Sequence, residues 1–302
     1  MPSRLGVAVI LLFWLAVSAY VVRREVVPRY FADTPPRIDF VLVDELSTTP
    51  ATWSVYRDDK KVGSMTSRIE HVPADDTFRF TTRYHGLKFD VLKVTLGVPS
   101  AETVVRVSRD GRLREQNMTG QFDALFGAVA VGSAKAEVRS RVENGQLVGR
   151  AKLDVPALLA KPIDEELDPV PVPDGQVLNP LMPVDRLAGV TPGRRWTIRQ
   201  TDPLRDSLQL LARRVLKQQM PGAGGESKLF DGFAGSPELL AEVLPEPEYI
   251  AREGLPVPCW VIRYESADKQ FTARTFVRRT DGQVLRQEAS GHGEKWRFDR
   301  DE

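Results

Sequence analysis

The chain is 302 residues long, with 42 lysine and arginine against 41 aspartate and glutamate side chains, and 42% of it is hydrophobic. Those proportions exclude wholesale disorder, a collagen-like repeat and a multi-span membrane protein, and a net charge of +1 excludes the basic footprint of a nucleic-acid binder. A single cysteine, Cys259, forbids an intramolecular disulfide and a cysteine-built zinc site, and three histidines leave little for metal chemistry, so no metal and no cofactor are expected.

The amino terminus sets the compartment. Leu5 to Val22 is a run of eighteen residues without a charge, which at 1.5 Å per residue covers roughly 27 Å, close to the ~30 Å hydrocarbon core of a bilayer. Two readings follow: an uncleaved signal anchor over residues 1–24, or a signal peptide cut near the small residues Val17-Ser18-Ala19. The run is longer than the usual ~7 to 15 apolar residues of a signal peptide, which favours the anchor. Arg4 precedes it and Arg23, Arg24 and Arg29 follow, so flanking charge does not set orientation. No cysteine follows the run, which excludes lipid attachment there. Both readings place residues 25–302 outside the cytoplasm, in the periplasm or at the cell surface.

Residues 25–155 read as an antiparallel β region, because apolar side chains recur at every second position. Trp53 and Val55 alternate with Ser54 and Tyr56; Asp58-Asp59-Lys60-Lys61 then supplies a polar turn before a strand from Val62 to Ile69. Phe78, Phe80, Thr82 and Tyr84, then Phe89, Val91, Lys93 and Thr95, predict two strands around His85-Gly86. Val104 to Val107 turns at Asp110-Gly111 into Leu113 to Met118, and Ala136 to Val142 turns at Asn144-Gly145 into Leu147 to Leu153. Both dipeptides tolerate the positive φ of a tight hairpin turn.

Residues 156–184 are a proline-rich acidic linker, with Pro156, Pro162, Pro169, Pro171, Pro173, Pro180 and Pro183 around Asp164, Glu165, Glu166 and Asp168. Proline removes ladder donors. The linker either separates two domains or wraps one sheet, and its acidic run reads as a solvated loop in preference to a calcium site, lacking the glycine and ligand periodicity of an EF-hand. Residues 185–302 form a second β region: a turn at Thr191-Pro192-Gly193, then a strand from Arg195 to Arg199. Asp202 and Pro203 start a helix over 203–219 in which Leu204, Leu208, Leu211, Val215 and Leu216 share one face. That helix packs on the sheet, covers a cavity as a lid, or touches a membrane surface. Ser236-Pro237-Glu238-Leu239-Leu240 predicts a second, short helix. After Pro256-Val257-Pro258 come strands Cys259 to Tyr264, Phe271 to Arg278 and Val284 to Ala289, the last two joined by Asp281-Gly282, with Trp296 and Phe298 in a terminal segment.

Little of this pattern carries catalysis. Cys259, His292 and Asp299 follow the order of a nucleophile, base and orienting acid. Such a cysteine usually opens a helix, however, whereas Cys259-Trp260-Val261-Ile262 alternates like a strand. No G-x-S-x-G elbow, H-E-x-x-H pair, P-loop or G-x-G-x-x-G fingerprint occurs. His71 and His85 could approach across neighbouring strands, with no third metal ligand fixed. Asn117-Met118-Thr119 matches a glycosylation sequon. Trp53, Trp196, Trp260 and Trp296 fall in strand patterns and either fill a core or line a ligand cavity.

Together, Trp53-Ser54-Val55-Tyr56 with Lys61-Val62-Gly63, Asp110-Gly111, Leu187 with Thr191-Pro192-Gly193-Arg194-Arg195-Trp196, Asp202-Pro203, and Thr280-Asp281-Gly282-Gln283-Val284-Leu285 with Glu288 resemble the β-rich regions of membrane-anchored bacterial envelope proteins. In that group the regions precede transglutaminase-like domains or stand alone as uncharacterised periplasmic proteins. They are loosely similar to the lipoprotein-carrier (LolA/LolB-like) half-barrel. The resemblance covers roughly residues 50–300 and implies architecture only, since no transglutaminase core and no lipid-attachment cysteine accompany it. The fold expected is mainly β (α+β): an antiparallel curved sheet, or two, or a half-barrel, with one amphipathic helix and a transmembrane helix. The function expected is a non-catalytic envelope protein binding a lipid, acyl chain or lipopeptide through Trp53, Phe80, Phe89, Trp196, Leu208, Leu211 and Trp260. A scaffold that meets an envelope protein partner is the alternative, and a cysteine-dependent hydrolase or acyl-transfer enzyme comes third.

Overall fold

The computed structural model describes residues 50–91, 94–109, 111–126, 129–156, 161–172, 184–187, 189–199, 238–291 and 293–301, together with the helical residues Phe13, Trp14, Val17 and Ser18. The rest of the expected anchor, and the whole expected helix 203–219, lie outside the described residues. Among the described residues no helix is long and apolar enough to cross a membrane.

Sixteen strands are described, and they make one antiparallel sheet. In chain order they are β1 Ala51–Arg57, β2 Lys60–Val72, β3 Thr77–Val91, β4 Val94–Ser108, β5 Leu113–Phe126, β6 Val129–Glu143, β7 Gln146–Asp154, β8 Ile163–Glu166, β9 Val170–Pro171, β10 Arg195–Arg199, β11 Glu238–Val243, β12 Glu248–Arg252, β13 Leu255–Ser266, β14 Phe271–Arg278, β15 Val284–Gly291 and β16 Glu294–Arg300. Two meanders run outward from a shared seam: β1 to β8 on one side, and β16 back through β13 and β11 to β10 on the other. The seam is the β1–β16 pair, where Trp53 faces Arg300, Val55 faces Phe298 and Arg57 faces Trp296. Asp301 reinforces it, its backbone N–H donating to the Thr52 carbonyl at 2.8 Å and its carboxylate accepting from the Ser54 hydroxyl at 2.7 Å.

The sheet is curved and not closed; among the described residues β10 and β8 each pair on one side only. Strands of up to fifteen residues accumulate twist, and bulges add to it at Val55/Tyr56, Gly97/Ser100, Arg106/Val107, Ala124/Leu125 and Phe276/Val277. One hydrophobic cluster draws on both meanders, with Trp53, Met65, Phe78, Phe80, Val138 and Leu147 from the first and Trp196, Leu239, Ala241, Ile262 and Val284 from the second. A smaller cluster, Ile250, Cys259, Val261, Phe276 and Leu285, forms separately on β12 to β15. Val261 and Ile262 are adjacent and both fully buried, so this part of the sheet is covered on both faces.

The tight turns follow the sequence. Asp58 and Asp59 (φ 48° and 64°) and Asn144 and Gly145 (φ 50° and 74°) are paired left-handed residues, the geometry that matches strand twist in a two-residue hairpin. Gly282 has a second constraint besides its φ of 72°: a Cβ there would lie 2.5 Å from the Leu187 carbonyl oxygen. That close approach lets segment 184–187 dock on the β14–β15 turn, where the Leu187 N–H donates to the Gly282 carbonyl and the Val284 N–H to that of Asp185, both at 2.9 Å.

Four expectations are corrected. Ser236 to Leu240 is not a short helix over its described part: Glu238–Val243 is β11, and Leu239, Ala241 and Val243 are buried at every second position. His85-Gly86 does not separate two strands but lies inside β3, which continues in register to Val91 opposite Val94; the positive φ of Gly86 bends the strand. Lys60 and Lys61 belong to β2 and leave Asp58-Asp59 as the turn. Within 156–184, Ile163–Glu166 and Val170–Pro171 both pair with β7, so much of the acidic run is strand. The sequence reading also missed β12, whose hairpin with β13 turns at Glu253-Gly254, φ 48° and 77°. Pro256 and Pro258 are tolerated in β13 because ladder donors alternate: the turn fixes Leu255, Val257 and Cys259 toward β12, and the prolines face beyond the end of β14.

Candidate functional site

The described residues leave a groove of about 490 Å³ on the face of β3 to β7 that points away from the main core. Register builds it. One rung across the sheet is His85, Ser100, Gln121 and Lys135; two residues along, and therefore on the same face, is Arg83, Glu102, Thr119, Glu137 and Lys152. These two rows of side chains are the walls. The intervening rung of Tyr84, Ala101, Gly120 and Ala136 supplies the backbone floor. Its side chains point to the opposite face, where a Cβ on Gly120 would lie 3.0 Å from the Phe122 ring.

The charges in the groove are unevenly committed. Glu102 accepts from Arg83, and that partner raises the arginine pKa. Glu137 is held by Arg139 at 2.5 Å. Lys135, Lys152 and His85 make no ion pair or side-chain hydrogen bond among the described residues, and neither do Ser100, Thr119 and Gln121. Asp154 stands opposite Lys135 in the ladder without pairing to it, and Asp164, opposite Lys152, is held by Arg150 at 3.1 Å.

The residues singled out from the sequence lie elsewhere. Trp53, Phe80 and Trp196 are 0%, 3% and 1% exposed within one cluster. The Trp53 indole N–H donates to the Ser67 hydroxyl at 3.0 Å, and the Arg300 guanidinium lies 5.8 Å from its ring. The Trp196 indole N–H is buried without a hydrogen-bond partner among the described residues. Trp260 is half-buried against the same cluster, with Arg279 4.5 Å from its ring. Phe89 sits on β3 opposite Leu96, its side chain outside the described set; Leu208 and Leu211 lie outside the described residues altogether.

The catalytic and metal candidates are not brought together either. Burial pushes the Cys259 thiol up to about 11, and the thiol donates to the Val257 carbonyl at 3.6 Å. Asp299 is taken by Arg286 at 2.5 Å and Arg297 at 3.1 Å, and His292 is outside the described residues. His71 faces Phe78 and His85 faces Ser64, so they stand seven positions apart along the β2–β3 ladder, about 23 Å at 3.3 Å per residue. His71 instead binds Asp76 at 2.9 Å. Asn117 of the sequon accepts from the Ser140 N–H at 2.9 Å and donates to Glu115, which ties its amide into the β5–β6 ladder.

The described residues define an open antiparallel β sheet with a polar surface groove. No family model matches the sequence, and no curated protein matches it. Among solved structures the chain is similar to a β-barrel-like protein of a domain of unknown function, DUF1849, from Brucella abortus, at 10% identity and a TM-score of 0.35, over 85% of this chain and 98% of that one.

Proposed function

We propose that this chain is a non-catalytic, membrane-anchored binding module of the cell envelope that accepts its ligand in the groove across β3 to β7. The observation that carries the reading is the groove itself: polar side chains from five strands converge on one face, and six of them hold no partner among the described residues. Leu5 to Val22 supports the anchor and the extracytoplasmic placement. The buried thiol of Cys259 and the arginine-bound Asp299 support a binding role over cysteine-dependent hydrolysis or acyl transfer.

A lipid or acyl chain held by Trp53, Phe80 and Trp196 would need space beside those rings. Their surface is covered by core neighbours, whereas the groove across β3 to β7 has room for a molecule. The scaffold reading has one specific support: among the described residues β10 and β8 each pair on one side only, the position at which a partner strand adds to a sheet. Native mass spectrometry of the full chain taken from membranes in a non-ionic detergent tests the main reading. A small polar molecule bound near one per chain is expected, and bare chain recovered only as a crosslinked complex with another protein would favour the scaffold.

A further inference from the structure

We infer that the groove recognises an anionic group, a carboxylate or a phosphate, on a hydroxyl- or amide-rich body, with Lys135 and Lys152 as its charge partners. This rests on the reading of the groove as a ligand site. The lining carries three fixed cations, Arg83, Lys135 and Lys152, against two carboxylates, Glu102 and Glu137. Both carboxylates are already occupied by arginines, Glu102 by Arg83 and Glu137 by Arg139. What is left to meet a ligand is therefore two ammonium groups, the His85 imidazole and the neutral Ser100, Thr119 and Gln121.

The two lysines stand diagonally on β6 and β7, since Lys135 pairs with Asp154 and Lys152 with Glu137 in the same ladder. Diagonal neighbours on one face are about 7–8 Å apart at the backbone, within the reach of two long side chains toward one anion. The polarity is directional: the β6–β7 end carries both lysines, with Asp154 opposite Lys135 and Glu137 held by Arg139, and the β3–β4 end is neutralised by the Arg83–Glu102 pair. A volume of about 490 Å³ is that of roughly sixteen waters of liquid, so the site is sized for a molecule and not for a lone ion. The hydroxyls and amide between the ends suit hydrogen bonds to its body.

Four probes sharing one hydroxyl-rich body separate charge from shape: glucuronate, glucose 1-phosphate, glucose and glucosamine, titrated into the full chain in non-ionic detergent at constant ionic strength. The two anions are expected to bind at least about tenfold more tightly than glucose and glucosamine, and whichever anion binds more tightly identifies carboxylate or phosphate as the preferred group. Lys135→Met and Lys152→Met should each weaken the anion about fivefold, Lys135→Arg should restore most of it, and Lys269→Met, on the β13–β14 turn, should change nothing. Equal binding of all four probes would overturn the charge assignment while leaving the groove as a ligand site. No binding of any probe up to about 10 mM would overturn both.

Discussion

Replacing Trp53 by alanine separates a filled core from a ligand-lined cavity. The ring is fully buried on β1, whose backbone is held on one side by β16 and on the other by β2. Such a strand cannot move inward to fill a hole, so the cost falls in the upper part of the ~3–5 kcal/mol usual for large aromatic truncations, about 4 kcal/mol. Part of that is the hydrogen bond to Ser67, worth about 1 kcal/mol and probed at nearly constant volume by Ser67→Ala. With a denaturant slope near ~2 kcal/mol per molar in urea, the alanine variant should unfold about 2 M earlier by circular dichroism. Trp260→Ala, on a half-buried ring, should cost about half as much. A shift below about 0.5 M for Trp53→Ala would show that the ring borders free space, and the core account would fail.

Three further outcomes follow from the same structure. Gly282→Ala forces a Cβ toward the Leu187 carbonyl at a left-handed φ and should lower stability by about 2 kcal/mol or more; a neutral result in thermal denaturation would mean that segment 184–187 does not dock there. Cys259 should resist iodoacetamide at pH 8 until the chain is unfolded, and modification of the native protein within minutes would contradict its burial. Asp75, Asp76, Asp281 and Glu242 all have lowered pKa values, chiefly from hydrogen bonds donated by Arg106, Arg109, Arg278 and Arg195 respectively. Because their folded values lie below the ordinary 3.8 to 4.5, the stability they add is complete above that range and is lost as pH falls below it. The melting temperature should therefore drop as pH falls from about 4.5 toward about 2, and drop less in Arg109→Ala, and an unchanged slope in that variant would remove the Asp76 pair from the account.

Where the sequence carried a local signal, the strands were legible. Asn144-Gly145 marked a hairpin because few residue pairs accept left-handed geometry at both positions, and Asp281-Gly282 marked one through the left-handed glycine alone. Glu253-Gly254 makes a turn of the same kind but went unread, since glutamate is not a residue that advertises it. At Ser236 a cap residue, a proline and an acid imitated a helix start, yet Leu239, Ala241 and Val243 alternate, and β13 offered them a partner. The groove had no local signal at all. His85, Ser100, Gln121 and Lys135 are scattered over fifty residues, and only the ladder register of β3 to β6 puts them in one row. The aromatic residues drew attention for the opposite reason: they are conspicuous in sequence, and in the fold Trp53, Phe80 and Trp196 are core.

Thr119 sits in the middle of the groove, exposed on the face away from the core, so Thr119→Trp fills the site without touching the main cluster. The most direct test of the binding account is to take wild type, Thr119→Trp and Trp196→Phe from membranes as full chains and compare what co-purifies by native mass spectrometry and extraction. The account predicts a polar small molecule retained by wild type and by Trp196→Phe and lost from Thr119→Trp. A molecule retained by Thr119→Trp, or a lipid that leaves with the Trp196 change, would contradict it.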